Sequence, residues 1–253
     1  MANGSLTARS LTEHYIRRIY SLDQSGPKLR SVCEINPDAL ASADRLDRER
    51  REGRVRSALH GICVLVKDNI DAGSLMRTTA GSLALLETAT PEDSHVVAQL
   101  RSAGAVVLGK TNLSEWANFR STASVSGWSA VGSQTQNPHR LDCSPSGSSS
   151  GSAAAVAADL CTVALGTETD GPIVSPASCC GVVGIKPSVG RTSRIGVVPI
   201  SRSQDTVGAF GRTVADAAAL LGAISAPDSR DAATLAAPPP PDYAACLDRD
   251  ALR

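Results

Sequence analysis

Three short segments of this chain could take part in proton transfer and in holding a developing negative charge. Lys67 closes the apolar run ICVLVK and is one of only four lysines (28, 67, 110 and 186) against 21 arginines. Burial at a strand end disfavours the ammonium form, lowers its pKa and turns lysine into a usable base. The same position equally suits a lysine whose stem lies along the strand while its amine reaches solvent. The run Ser146-Gly-Ser-Ser-Ser-Gly-Ser152 leads into an alanine-rich segment. A glycine and serine loop entering a helix presents unpaired backbone N–H groups to an anion or oxyanion; it also matches a plain flexible connection. The third segment, Gly166-Thr-Glu-Thr-Asp-Gly-Pro-Ile173, continues as VSPASCCGVVGIKPSVG. A glycine-containing turn ahead of small residues lets backbone amides approach a substrate carbonyl, and is also an ordinary tight turn between strand and helix.

Other chemistries find less support. Gly147-x-Ser149-x-Gly151 fits the nucleophile elbow of α/β-hydrolases, which needs a triad histidine downstream of the serine. No histidine follows His139, so that reading fails. The four histidines (14, 60, 95 and 139) are too scattered in sequence for a zinc site. Seven cysteines (33, 63, 143, 161, 179, 180 and 246) without a CxxC pair argue for reduced thiols rather than a disulfide framework. Nothing calls for a metal or an organic cofactor. With 25 basic and 25 acidic side chains, there is no electrostatic case for a nucleic acid or an anionic membrane as partner. The opening MANGSLTARSLTEHY lacks a secretory layout. The most apolar stretches, Ala153 to Gly166 and Val214 to Ala226, are too short to span a bilayer. A cytoplasmic location is the resulting expectation. No pattern sets an oligomeric state.

The elements that must position these residues follow from periodicity. Apolar residues at Leu11, Tyr15, Ile19 and Leu22 have helical spacing, with Ser10 and Glu13 as a possible capping box. Asn36 as N-cap, Pro37 at the first position and Gly53 past the end mark a second helix. His60 to Ile70 and Ala105 to Asn112 read as buried strands, separated by a helix that Ser94 caps and Gly104 ends. Residues 153–158 read as helix, 161–167 as strand and 213–224 as helix. Continuous apolar strands alternating with helices predict an α/β fold with a sheet buried on both faces. From Ala226 on the chain turns rich in alanine, aspartate and proline. This divides it into a domain at 1–226 and a linker at 227–253.

Taken together, LHGICVLVKDNI, TTAGSLALL, AGAVVLGKTNLSEWANF, SPSGSSSGSAAAVAA, GTETDGPIVSPASCCGVVGIKP and SQDTVGAFGRTVADAA resemble the amidase signature family. The resemblance runs from about Leu6 to the end of the chain. It implies a mixed, mainly parallel sheet flanked by helices, hydrolysis of a carboxamide C–N bond and a small-molecule amide as substrate. It also implies a Ser–cis-Ser–Lys triad in which Lys67 is the base and Ser148, lying before a cis peptide, bridges it to a nucleophilic serine. Backbone N–H groups around Thr169, Asp170 and Gly171 would form the oxyanion site. Such a triad needs no histidine.

The pattern breaks at the nucleophile, whose place falls on Pro172. Proline removes both the attacking hydroxyl and a backbone N–H. Deleting the nucleophile of a serine hydrolase costs on the order of a millionfold in turnover, or roughly 8 kcal/mol of barrier. Thr169 and Ser175 stand three residues to either side. One helical turn puts Ser175 some 5 Å from the working position, too far for the reaction. A helix's first turn accepts proline, so lost catalysis is expected rather than lost folding. Relatives in the family also continue into further strands and helices that complete sheet and pocket. The expectation is therefore an amidase-family hydrolase impaired at Pro172; the alternative is a non-catalytic protein that keeps the fold to bind an amide-like ligand or a partner chain.

Overall fold

The computed structural model describes residues 1, 4–73, 75–88, 90, 92–248 and 250. In chain order the elements are α1 (Ala8–Arg18), β1 (Val32–Ile35), α2 (Ala39–Arg51), β2 (Cys63–Lys67), α3 (His95–Ser102), β3 (Val106–Thr111), β4 (Trp128–Ser129), β5 (Ser133–Gln134), α4 (Ser150–Ala157), β6 (Val163–Glu168), α5 (Val174–Cys179), β7 (Val183–Ile185), β8 (Thr206–Gly211), α6 (Val214–Ile224) and α7 (Ala232–Ala236). A π-helical turn, Ile19–Gln24, prolongs α1.

Six strands form one sheet in the order β1-β3-β2-β6-β8-β7. The central strands β3, β2 and β6 run parallel, while β1 and β8 run against their neighbours. Four strands, β7 included, thus point one way, as the α/β reading requires. Short apolar strands separated by helices cannot pair by hairpins, and the crossovers place helices on both faces.

Alternation along the strands sorts the core. Cys63, Leu65, Val106, Leu108, Ala164 and Phe210 pack with α1, α2, α4 and α5. Val64, Val66, Val107, Val163, Leu165, Val207 and Ala209 pack with α3 and α6. Parity then dictates where Lys67 goes. It follows Cys63 and Leu65 onto the side that carries α4.

Several local expectations shift. The capping box of α1 is Thr7 with Ser10, whereas Glu13 accepts from Arg9 at 2.7 Å. The Asn36 side-chain oxygen accepts the Asp38 N–H at 2.9 Å, so α2 begins later than Pro37. Ser94 caps α3 as expected, and Thr213, expected as the first helical residue, is instead the N-cap of α6. The segment expected as linker is packed at its start. Asp228, Asp231 and Thr234 are buried, Ser193 Oγ donates to Asp228 at 2.8 Å, and Arg194 pairs with Asp231. Tyr243 leans on the α6 side of the core. The linker's final residues, 251–253, lie outside the described residues. No helix among the described residues is long and apolar enough to cross a membrane, and no group of metal ligands forms among them.

Candidate active site

The parallel pairing of β2 with β6 sets Val66 beside Leu165, so the carboxyl ends of both strands reach one rim. Ligand sites in open α/β sheets form at such carboxyl ends. Lys67 ends β2, and Thr167 stands one residue from the end of β6. The Lys67 amine donates to Ser148 Oγ at 2.8 Å and to Thr167 Oγ1 at 2.8 Å, with the Thr167 carbonyl at 3.4 Å. Lys67 and Ser148 are fully buried. Burial pushes the lysine pKa down to about 7, while the carboxylates of Glu168 and Asp205 pull it part of the way back. An amine that loses its proton near neutrality can act as a base.

Ser148 is held by the loop that enters α4. A cis peptide joins Gly147 to Ser148; it precedes Ser148 instead of following it, which corrects the expected order. The Ser148 carbonyl accepts the Ser114 N–H at 3.1 Å, and Ser149 Oγ donates to the Thr167 carbonyl at 3.1 Å. Gly151 must be glycine, because a Cβ there would run into the carbonyl oxygens of Ser31 and Asn112. Small residues along α4 bring its start against the sheet, so Ser148 meets Lys67.

The turn after β6 stands beside this pair. Ser149 donates its N–H to the Pro172 carbonyl at 3.3 Å, placing Pro172 next to the chain that carries Ser148. Pro172 is buried. The buried Glu168 carboxylate accepts N–H groups from Gly171 (3.0 Å), Ile173 (2.6 Å) and Val174 (3.0 Å). Gly171 therefore has its N–H engaged, against the expectation that it would serve an oxyanion. Its φ of +91° is a conformation that glycine adopts freely. No protein acceptor meets the N–H of Thr169 or Asp170 among the described residues. Thr169 Oγ1 donates to Asp205 at 2.6 Å, and Asp170 is exposed. Ser175 Oγ pairs with Ser146 Oγ at 2.7 Å, so the hydroxyl considered as a substitute nucleophile is already engaged.

Thr167, Glu168 and Asn69 were not singled out from sequence. Two of them lie inside the GTETDG motif, and Asn69 is two residues past Lys67; proximity to a motif was the only available signal. A second buried lysine braces the same rim. Lys110 donates to the carbonyls of Ile70 (2.7 Å) and Arg77 (3.0 Å) and to Thr78 Oγ1 (3.0 Å). Its amine lies 3.5 Å from Asp68, whose carboxyl burial pushes up and the lysine pulls back. Lys110→Met would leave that carboxylate without its cation, and is expected to lower stability by about 3 kcal/mol in urea unfolding.

Asn69, whose Nδ2 donates to Thr167 Oγ1, also lines a cavity of about 330 Å³ together with Leu113, Trp116, Phe119 and Ile200 among others.

Residues 10–250 match the family described as Amidase. A protein of Arabidopsis thaliana named "Probable amidase" is 54% identical over 231 residues, which are 90% of this chain and 44% of the relative. An amidase family protein from Bacillus anthracis superposes with a TM-score of 0.94 at 44% identity, covering 97% of this chain and 49% of the other. The native peptide amidase from Stenotrophomonas maltophilia superposes with a TM-score of 0.95 at 59% identity, covering 98% of this chain and 51% of the other. The chain spans about half the length of the relatives it matches.

Proposed function

The chain belongs to the amidase family, and from that premise we propose that its site is built for carboxamide hydrolysis by a Ser–cis-Ser–Lys relay, with the chemical step blocked at Pro172. The observation that carries this reading is the 2.8 Å contact between the Lys67 amine and Ser148 Oγ in a fully buried setting. The likeness to a peptide amidase supports the amide of a short peptide as the substrate class.

With a serine at position 172, the relay would run as follows. The Ser148 hydroxyl takes the proton of the attacking oxygen and hands its own to neutral Lys67. The new alkoxide attacks the carboxamide carbon, and the N–H groups of Thr169 and Asp170 face the charge that develops on the oxygen. Lys67, now an ammonium, returns a proton through Ser148 to the departing nitrogen. Ammonia leaves, and water clears the acyl-enzyme by the same relay. Pro172 has no hydroxyl to start this sequence. The native chain then holds an amide without turning it over, and the non-catalytic reading describes the same site with its first step removed. Ammonia release by the Pro172→Ser form is the test.

The same form should show a particular pH dependence. Only the neutral amine can accept a proton, and Lys67 sits at about 7. Below that value kcat/KM is expected to rise about tenfold per pH unit, levelling above it. A rising limb centred near 10 would mean an ordinary solvated lysine and would count against Lys67 as base.

A further inference from the structure

We infer that Thr167 is a positioning residue for Lys67: its hydroxyl and its carbonyl hold two of the three positions around the amine nitrogen, so that the third, proton or lone pair, faces Ser148. This rests on the carboxamide relay for what the amine does at Ser148. The Lys67 amine meets Thr167 Oγ1 at 2.8 Å, the Thr167 carbonyl at 3.4 Å and Ser148 Oγ at 2.8 Å. An ammonium has three N–H groups and no acceptor, and these three partners take all of them. The relay needs the lone pair at Ser148 once the proton has left, and Thr167 supplies two acceptors for the N–H groups that remain. Glu168 and Asp205 are the charged groups that act on this amine, and both are engaged elsewhere. Glu168 accepts from Gly171, Ile173 and Val174, and Asp205 accepts from Thr169, Ile200 and Ser201. Lys110 and Asp68, on the same rim, face each other at 3.5 Å, and α4 carries no charged residue. The carboxylates set the charge around the amine; Thr167 sets its direction.

Thr167 is itself fixed by its surroundings. Its N–H donates to Ser149 Oγ at 3.3 Å, and its carbonyl accepts from the same hydroxyl at 3.1 Å. That exchange ties β6 to the loop that carries Ser148. On the other side Thr167 pairs with Val207 of β8. A β-branched side chain is stiff at χ1, so the strand decides where the hydroxyl points. Asn69 holds the same oxygen, its Nδ2 donating at 3.0 Å. Asn69 is 3% exposed and its Oδ1 meets no partner. A buried acceptor left unpaired is costly to folding, and the bond to Thr167 is the one hydrogen bond this side chain makes among the described residues.

The chain has four lysines, of which Lys28 and Lys186 are exposed, so a lysine label reads the amine directly. The native chain is labelled with carbon-13 at lysine Cε and nitrogen-15 at Nζ, and the Lys67 signal is identified by its loss in Lys67→Met. Below its midpoint at about 7, the Lys67 ammonium is expected to turn about its Cε–Nζ bond about tenfold more slowly than that of Lys28. Thr167→Val keeps the shape and removes the hydroxyl. An acceptor for the ammonium favours the charged form, so its loss should lower the Lys67 midpoint by about one pH unit. Thr167→Ser should restore it. In the Pro172→Ser background, Thr167→Val should move the rising limb of kcat/KM down in pH by the same amount. There kcat should fall about tenfold or more with KM unchanged, a split that a merely structural role would not give. A native Lys67 ammonium that turns as freely as Lys28 overturns the assignment without any variant, and so does an unmoved midpoint in a folded Thr167→Val chain. Ammonia release by Pro172→Ser separates this from the hydrolase reading. A held amine with a shifted midpoint but no ammonia leaves Thr167 in its role and removes the hydrolase reading. Ammonia release with a freely turning amine keeps the relay and removes Thr167 from it.

Discussion

The native chain is expected to show no measurable amide hydrolysis, and its Pro172→Ser form to release ammonia from N-acetyl-leucinamide. The effect has a natural scale. Removing the nucleophile from a serine hydrolase costs on the order of a millionfold in turnover, so restoring it should recover a large part of roughly 8 kcal/mol. Three features of the structure support recovery by one residue. Lys67 and Ser148 are already in contact at 2.8 Å. The Pro172 carbonyl is tied to the Ser149 N–H, so a side chain at 172 starts beside the relay. The turn is held by Glu168 through Gly171, Ile173 and Val174, none of which needs an N–H at position 172. Single-turnover ammonia release, with intact-mass detection of an acyl-enzyme on residue 172, measures it. Hydrolysis of equal rate in the native and serine forms would show that the nucleophile lies elsewhere.

The second large effect concerns the base. In the Pro172→Ser background, Lys67→Met should abolish the recovered activity, a loss of about 10⁴-fold or more. Methionine keeps most of the volume, so the cavity term of a truncation to alanine is largely avoided. Ser148→Ala should cost a similar amount, and the double variant little more than either alone, because residues that act as one relay are not additive. The pattern matters more than either number. Independent, multiplying losses would mean that Lys67 and Ser148 act separately, and retention of a tenth of the rate by Lys67→Met would remove lysine as the base. Substitution also removes a buried amine whose proton is weakly held, so a melt should accompany the kinetics. A form that melts like its parent yet has lost its turnover has lost chemistry, not structure.

Legibility differed sharply between kinds of feature. The strands around Lys67 were readable because burial on both faces leaves an unbroken apolar run, VCEI being the exception. β1 was missed since Val32–Ile35 lies at the sheet edge and is only partly buried. β8 and β7 were missed because TVGAFG and VGI are glycine-rich and short, and because β8 joins the sheet on β6, some forty positions away, with β7 pairing in turn on β8. The capping box of α1 moved to Thr7 and Ser10 because two hydroxyls at the right spacing satisfied the free N–H groups before Glu13 was reached. The tail was read as linker from its prolines, yet Asp228 and Asp231 anchor it to Ser193 and Arg194, partners that composition does not reveal.

The linear order of residues determined the family, the identity of Lys67 and Ser148 as its polar pair, and the absence of a hydroxyl at Pro172. Those are properties of residue type and local spacing, which survive without coordinates. Tertiary structure alone decided that Lys67 is dry enough to sit at about 7, that Glu168 takes up the Gly171 N–H, and that the Asn69 amide is tied to Thr167 beside the base. Each of these depends on which strand lies next to which, and on how closely α4 approaches the sheet. Hydrogen bonds and desolvation act over a few ångströms in space, between groups that in this chain stand as many as 147 residues apart.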